Sequence, residues 1–438
     1  MERIVIHSDL NNFYASVERK LHPELVGVPV AVCGNKEERK GIVLAKSEEA
    51  KKFGVKTGDT VWQAKRKCPD IVVVRPHFDE YMKYSRLARA IYAEYTDLIE
   101  PYGIDECWLD VTHSTKVFPR FGGEMYEGEG EARTFAPAYL KFIGDTLRTR
   151  IKGELGLTVS VGVSYNKVFA KLGSDLKKPD GTTVIPASDY KTKIYPLPVE
   201  DLLYVGRATA ERLRRMGITT IGALANAPDD TIKRAFGKNG ETLLKYARGQ
   251  DDEPVRSADD SGELKSIGNS LTYPHDLTSY EEVKKHLFVL AESVAARLRE
   301  ADLGRADTVH LWVRDSALKS MNVQKKVRPT VLCGEIAAHA FALFKERVRF
   351  PFAVRALGVT VSGFDKNLSQ MTFDEVDGDY KKRERAERAV DAIRKKYGYS
   401  KLQRGIMADD PEAAHTDIKG THLIKPARFD DGGEGGRN

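Results

Sequence analysis

Gly103-Ile104-Asp105-Glu106-Cys107-Trp108-Leu109-Asp110-Val111 sets two adjacent carboxylates at the start of an apolar run of strand length. With Tyr102 in front of it, the run reads as a hairpin tip rising from a core. Buried side by side, two carboxylates repel, and one pKa rises unless a cation shares the site. Mg²⁺ suits such a place, because it takes hard oxygen ligands and leaves room for substrate phosphates. A solvated acidic turn is the plain alternative, so a third carboxylate is needed. Asp9 supplies one at the end of Arg3-Ile4-Val5-Ile6-His7, a second run of strand length. A strand end beside a hairpin tip can gather three acids around two metal ions, the arrangement of phosphoryl and nucleotidyl transfer.

Between these acids the chain alternates. Residues 11–18 read as a helix with an Asn as N-cap and Phe13, Val17 and Leu21 on one face. Tyr14 falls off that face, where it can lie flat under a nucleotide sugar. Residues 28–34 and 41–45 read as paired strands, and 47–53 as a basic helix closed by Gly54, with Lys46, Lys51 and Lys52 able to face phosphates. A strand at 71–74 precedes a long helix over 79–100, whose stripe of Tyr81, Tyr84, Leu87, Ile91, Tyr95 and Leu98 faces the core. The glycine- and glutamate-rich stretch 118–135 reads as an exposed, dispensable loop insertion. A helix over 138–152, a strand over 158–163 and a helix opening at Ser164-Tyr165-Asn166-Lys167 and running to 177 follow. Lys167, in that first turn, adds charge to free backbone N–H groups and makes an anion site, with Lys171 one turn on. The alternation indicates an α/β domain with its sheet covered on one side.

Beyond it, Val205-Gly206-Arg207 and Met216-Gly217-Ile218 sit between short helical runs in the manner of a helix-hairpin-helix. Gly206 lets backbone N–H groups meet a DNA phosphate and Arg207 adds charge; a plain helical hairpin capped by Gly217 is the alternative. Residues 249–262 read as a linker, after which the order is βαββαβ: 266–271, 280–300, 308–314, 320–327, 334–346 and 356–361. Lys265, Arg314, Lys319, Lys325, Lys326, Arg328 and Arg355 make this a platform able to follow a nucleic-acid backbone. From about 365 the chain turns polar, with a helix over 380–397 carrying Ala386, Val390, Ile393 and Tyr397 on a seam. Gln370-Met371-Thr372-Phe373 is a docking peptide or a set of linker hydrophobes.

Bulk properties agree. At 438 residues and 41% hydrophobic content, two to four domains are expected. No run reaches the roughly 18–20 apolar residues that span a bilayer, and Met1-Glu2-Arg3 leads straight into a strand, so no membrane association and a cytoplasmic location are expected. Cys33, Cys68, Cys107 and Cys333 are too scattered for a disulfide framework or zinc site. A net charge of +6 permits an anionic partner.

Four ordered motifs, Asp9-Leu10-Asn11-Asn12-Phe13-Tyr14-Ala15-Ser16-Val17-Glu18, Gly103-Ile104-Asp105-Glu106, Gly162-Val163-Ser164-Tyr165-Asn166-Lys167 and Lys265-Ser266-Ile267-Gly268-Asn269-Ser270, together resemble the Y-family translesion DNA polymerases. The similarity runs over about residues 1–408, on the side of the bacterial polymerase IV-like branch. It implies an α/β (α+β) right-hand fold: palm at 1–13 and 78–176, small fingers at 14–77, and a helix-hairpin-helix thumb at 177–248. A linker at 249–265, a βαββαβ little finger at 266–364 and a tail at 365–438, partly helical then disordered, complete it. The implied activity is template-directed addition of deoxynucleotides to a primer 3′-hydroxyl on damaged DNA. A non-catalytic DNA-binding scaffold of the same shape is the alternative.

By that match Asp9, Asp105 and Glu106 are the catalytic metal ligands, with the Leu10 carbonyl, for two Mg²⁺ ions. Tyr14 takes the place of a steric gate against the ribonucleotide 2′-hydroxyl, Phe13 supports the sugar, and Lys167 matches a triphosphate-binding lysine. The sequence departs from many relatives at Asn11, and at Glu48 and Lys51, where a Tyr and an Arg commonly hold the triphosphate. Lys51 is left to reach the phosphates, and Glu48 opposes them unless it pairs with a lysine. Gly206, Arg207, Lys265, Ser266, Arg314, Lys325 and Arg328 are the implied DNA contacts, and Gln370 to Phe373 falls where relatives carry a sliding-clamp peptide. The partners implied are primer–template DNA, deoxynucleoside triphosphates and the clamp, for a monomeric enzyme.

Overall fold

A computed structural model describes residues 3–35, 39, 41–128, 134–257, 264–365, 379–398 and 401–407. The clamp-like segment 370–373 and the end of the tail lie outside the described residues. Contacts divide the chain into two units, one drawn mainly from residues 1–34 and 42–261, the other from 262–424 with 35–41.

The first unit opens with β1 (Val5–Leu10) and α1 (Phe13–Leu21). A small sheet follows, in which β2 (Val30–Cys33) lies between antiparallel β3 (Val43–Lys46) and parallel β4 (Val72–Val74), with α2 (Glu48–Lys52) and α3 (Val61–Lys67) between β3 and β4 in the chain. Then come α4 (Phe78–Ala93), β5 (Ile99–Pro101), β6 (Glu106–Asp110), β7 (Tyr126–Glu127), β8 (Thr134–Phe135), α5 (Pro137–Leu155), β9 (Val159–Ser164), α6 (Lys167–Leu176) and β10 (Thr182–Ile185). Five helices, α7 (Tyr190–Ile194), α8 (Arg207–Arg215), α9 (Ile221–Ala225), α10 (Asp229–Phe236) and α11 (Lys238–Ala247), close the unit around Leu213, Ile221, Leu224, Ile232 and Leu244.

The large sheet runs β10-β9-β1-β6-β5, with β10 parallel to β9 and the other pairings antiparallel. Both of its faces are covered, not one. Successive strand residues point to opposite sides, and in β1 both sides are buried: Ser8 meets the Tyr92 hydroxyl of α4 at 2.7 Å, while His7 Nδ1 lies 2.8 Å from Ser174 Oγ of α6. Gly162 explains how closely α6 approaches. A Cβ there would come within 1.9 Å of the Ala170 carbonyl oxygen, so only glycine lets the helix lie on β9.

Other expectations are revised by packing. The long helix ends at Ala93, not 100, because Ile99–Pro101 is taken up as an edge strand beside β6. Of the expected stripe Tyr81, Ile91 and Tyr95 are buried, whereas Leu87 is exposed; Ser85, Ala88 and Tyr92 complete the buried face. The stretch 118–135 is anchored at its ends while its described residues between them are mostly exposed, as expected: Phe118 packs on Tyr95, and Phe135, paired with Tyr126, is buried beside Tyr139. The linker is docked in part, since Val255 packs with Val5, Trp108 and Ala170, and the Arg256 N–H donates to Glu100.

The second unit has the expected βαββαβ order: β11 (Ser266–Leu277), α12 (Tyr280–Glu300), β12 (Arg305–Asp315), β13 (Ser320–Thr330), α13 (Cys333–Arg347) and β14 (Val354–Asp365). Strands order β11-β14-β12-β13, and α12 and α13 pack on one face through Leu287, Leu290, Val294, Ile336 and Phe344. Ser279 and Glu282 form a reciprocal capping box that starts α12 where the sequence places it. A last helix, α14 (Asp379–Tyr397), turns inward a face about 100° round from its apolar seam: Ala386, Ile393 and Tyr397 are exposed and Val390 is half-buried, whereas Tyr380, Glu387 and Asp391 face the domain. Ion pairing outweighs a seam of one alanine, one valine and two larger residues. Among the described residues all four cysteines are free and buried, and no helix is long and apolar enough to cross a membrane.

Candidate active site

The β1–β6 register sets Asp9 directly opposite Glu106, both on the α6 side of the sheet. Asp105 sits in the turn before β6, and its carbonyl accepts the Leu10 N–H at 2.9 Å, which ties the hairpin tip to the end of β1. The three acids are therefore brought together by one pair of strands.

Their charges are unequally met. Burial alone would raise the Glu106 pKa, but the bond from His7 and the nearby Lys171 charge hold it down at about 2. Lys171 Nζ reaches Glu106 and lies 3.7 Å from Asp9, and Lys178 Nζ donates to Asp9 at 2.8 Å and to Asp175 at 2.7 Å. Asp105 has no such partner: burial first, then repulsion from Asp9 and Glu106, pushes it up to about 7. His7 is fully buried, which lowers its pKa against the pull of Glu106, and its Nε2 lies 3.2 Å from that carboxylate.

The donor set fits Mg²⁺: two aspartates, one glutamate and a strand-end carbonyl at Leu10 are hard oxygen ligands, and the raised Asp105 marks negative charge that a divalent cation would relieve. As the side chains stand, no three of them among the described residues are gathered closely enough to enclose an ion, because Lys171 and Lys178 reach in among them.

Tyr14 stands beside the acids. Burial and then the Asp105 charge raise its hydroxyl to about 12, and its ring stacks on Tyr81 at 4.3 Å with 10° between planes. Tyr81 is itself fixed, since its hydroxyl donates to the fully buried Glu18, which His77 also holds at 3.0 Å. Phe13 and Phe78 pack around the pair. Asn12 occupies the N-cap of α1, but in the left-handed region (φ 47°) and without capping; its Nδ2 donates instead to Glu48 at 2.9 Å. Glu48 is also paired with Lys51 at 3.7 Å, which removes its opposition to phosphate while leaving the Lys51 ammonium half-exposed.

Lys167 does not join the acids. It is buried, bonded to both oxygens of Glu100 at 2.9 Å and lying 4.9 Å over the Trp108 ring, so its charge is already spent within the protein. Lys171 and Lys178 are the lysines that stand against the acids instead. The signal was present in the helical spacing: on α6, which lies against β1, a lysine one turn further on is carried along the sheet to the acid end.

For the nucleic-acid residues, Gly206 is the N-cap of α8 with φ −74°, an angle open to any residue, and a Cβ there would meet nothing within 4 Å. The fold itself does not require glycine at that point. Arg207 is 93% exposed along its side chain. In the second unit, the uncovered sheet face carries Ser266, His310, Trp312 and Arg314, with Lys326 across from Thr308, and Lys265 is exposed just before the first strand. Lys325 pairs with buried Val309 and so points to the helical side, the period of two separating it from Lys326. Arg328 is exposed on the edge strand.

Comparison with known proteins gives the family. The impB/mucB/samB family model matches residues 8–175, its C-terminal domain model 264–373, and a DNA polymerase-iota thumb model 200–251. DNA polymerase IV of Acetivibrio thermocellus is 47% identical over 413 residues, covering 94% of this chain and 98% of that one. DNA polymerase IV 1 of Bacillus subtilis is 36% identical, covering 97% of each. A solved Y-family DNA polymerase chimera superposes with a TM-score of 0.69 at 24% identity, over 82% of this chain and 99% of its own, a likeness of fold.

Proposed function

This chain belongs to the Y-family DNA polymerases, in the DNA polymerase IV branch, and is a DNA-directed DNA polymerase; from that premise we propose that it extends primers across damaged template by a two-metal-ion reaction. The observation that carries the proposal is the convergence of Asp9, Asp105 and Glu106 with the charge of Asp105 left uncompensated. Asp9, Asp105, Glu106 and the Leu10 carbonyl would hold two Mg²⁺ ions, which when bound activate the primer oxygen and steady the leaving pyrophosphate. The chain's own residues do the rest. Lys178 and Lys171, already against the acids, turn toward the triphosphate, with Lys51 at its outer end. Tyr14, clamped on Tyr81, offers a ring edge that a ribonucleotide 2′-hydroxyl would strike. Gly206 and Arg207 take a duplex phosphate, and Lys265, Ser266, Arg314 and Arg328 follow the backbone across the second unit.

The enzyme works as a cytoplasmic monomer, and Gln370 to Phe373 tether it to the sliding clamp; Gln370→Ala with Phe373→Ala weakens clamp affinity about 10-fold, and an unchanged affinity removes the tether. The main test is primer extension past an abasic template site with Mg²⁺, wild type beside Glu106→Ala. Extension by the wild type alone supports the reading; equal extension by the variant defeats it, and none by either leaves a DNA-binding scaffold. Tyr14→Ala should admit ribonucleotides about 100-fold more readily, and undiminished discrimination would remove the gate.

A further inference from the structure

Helix α14 segregates its charges. On its inner side Glu387 and Asp391 meet Arg299 of α12 at 3.4 and 2.7 Å, Glu387 also meets Arg404 at 2.7 Å, and Arg394 meets Glu292 of α12 at 3.1 Å. Tyr380 accepts the Val331 N–H at 3.0 Å under the guanidinium of Arg305. Glu384, the remaining acid of the helix body, is held by Arg388. Every acid between residues 380 and 397 is thus engaged by an arginine.

The outer side is cationic. At about 100° per residue Lys381, Lys382, Arg385, Arg388, Lys395 and Lys396 fall within one half of the helix, and all six are exposed. Among the described residues no carboxylate pairs with Lys381, Lys382, Arg385, Lys395 or Lys396. From Lys381 to Lys396 the stripe spans about 22 Å, the length of about six base pairs. Within the stripe only Ala389 and Ala392 lie between the cations, and the exposed Ile393 and Tyr397 stand to one side of it, so along its centre line the surface offers charge and no large anchor of the kind by which a protein groove holds a helix. Its chemistry is that of phosphate neutralisation. The helix stands against α12, on the covered side of the sheet and not on its open face.

From these observations we propose that α14 is a second DNA-contacting surface, which holds a segment of duplex apart from the primer–template through its phosphates and without reading sequence. The inference rests on the polymerase reading above. Docking by ion pairs fixes the rotation of the helix about its axis, so the acids stay inward and the stripe stays outward.

The test uses the full chain saturated with a short primer–template and titrated with a labelled blunt duplex of about 20 base pairs at several salt concentrations. Wild type should bind the second duplex with a steep salt dependence. Lys381→Gln, Arg385→Gln, Lys395→Gln and Lys396→Gln together should weaken that binding about 10-fold and flatten the slope of log affinity against log salt by about 3, with primer–template affinity and extension unchanged. Glutamine keeps helix propensity, and the matching variant with arginine at positions 381, 395 and 396 should retain wild-type binding. Second-duplex affinity unchanged in the glutamine variant, as expected if the stripe serves an acidic protein, overturns the proposal. So does an equal loss on the primer–template. A wild type that binds DNA but extends no primer would instead fault the polymerase reading.

Discussion

In the first unit Asp9, Glu106 and Asp175 share the ammoniums of Lys171 and Lys178 while Asp105 beside them pairs with neither; in the second, Glu292, Glu387 and Asp391 meet Arg299, Arg394 and Arg404. The second set alternates without a break, Asp391–Arg299–Glu387–Arg404–Glu292–Arg394, three acids against three arginines, with the Glu292 and Arg299 side chains 1% and 3% exposed. The first set is short of positive charge, and the shortfall falls on Asp105. A balanced buried chain has nothing left to bind and holds a helix. An unbalanced one keeps a residual charge, here on Asp105, that a cation would relieve.

The comparison can be broken from either side. Glu106→Ala should lower the extension rate by at least about 10³-fold while leaving DNA affinity within about 2-fold, measured by single-turnover kinetics and anisotropy. In the balanced set, Arg299→Met strands Asp391 and leaves Glu387 to Arg404 alone; urea unfolding should show a loss of about 3 kcal/mol in the second unit, with catalysis per folded molecule retained.

The pH response sharpens the contrast further. Asp105, with its pKa raised to about 7, is protonated in the fold at a pH where the unfolded chain is not, so its share of stability is full near pH 4 and is lost as pH rises toward 7. Glu106, lowered to about 2, acts oppositely: its share is present above about 4.5 and is lost as pH falls toward 2. In the absence of divalent ions, Asp105→Asn should raise stability at pH 7.5 by on the order of 2 kcal/mol and change it little at pH 4, and Mg²⁺ should raise the wild-type melting temperature more at pH 7.5 than at 5.5. The smallest effect separates two lysines. Lys178→Met should raise the nucleotide KM about 10-fold, whereas Lys167→Met should leave KM alone and lower stability, because it uncovers Glu100.

Much of this was legible in the chain. The capping box at Ser279 and Glu282, the alternation of the later strands and the hairpin before Glu106 are local patterns, and they appear where local pattern places them. The acids and Tyr14 were singled out because motif order supplied what an isolated Asp-Glu pair cannot, and the fold brings the acids together with Tyr14 beside them. What escaped depended on partners distant in sequence. Ser85 and Ala88 join Tyr81, Ile91 and Tyr92 on the buried face of α4, which an apolar stripe alone does not show. The seam on α14 lost to ion pairs formed across 92 residues, as between Arg299 and Asp391. Lys167 and Lys178 look alike in the chain; only the fold reveals that Glu100 waits beside one and Asp9 beside the other.

One further consequence follows from the left-handed turn at Asn12. Four residues separate Asp9 from Tyr14, and that turn, pinned through Asn12 to Glu48, makes the link a rigid spacer between the acid proposed to hold metal and the ring proposed to inspect the sugar. The two cannot drift independently over generations. A lineage that altered sugar selectivity by lengthening the spacer would misalign Asp9 as well, so the accessible route is to exchange the side chain at 14 and keep the span.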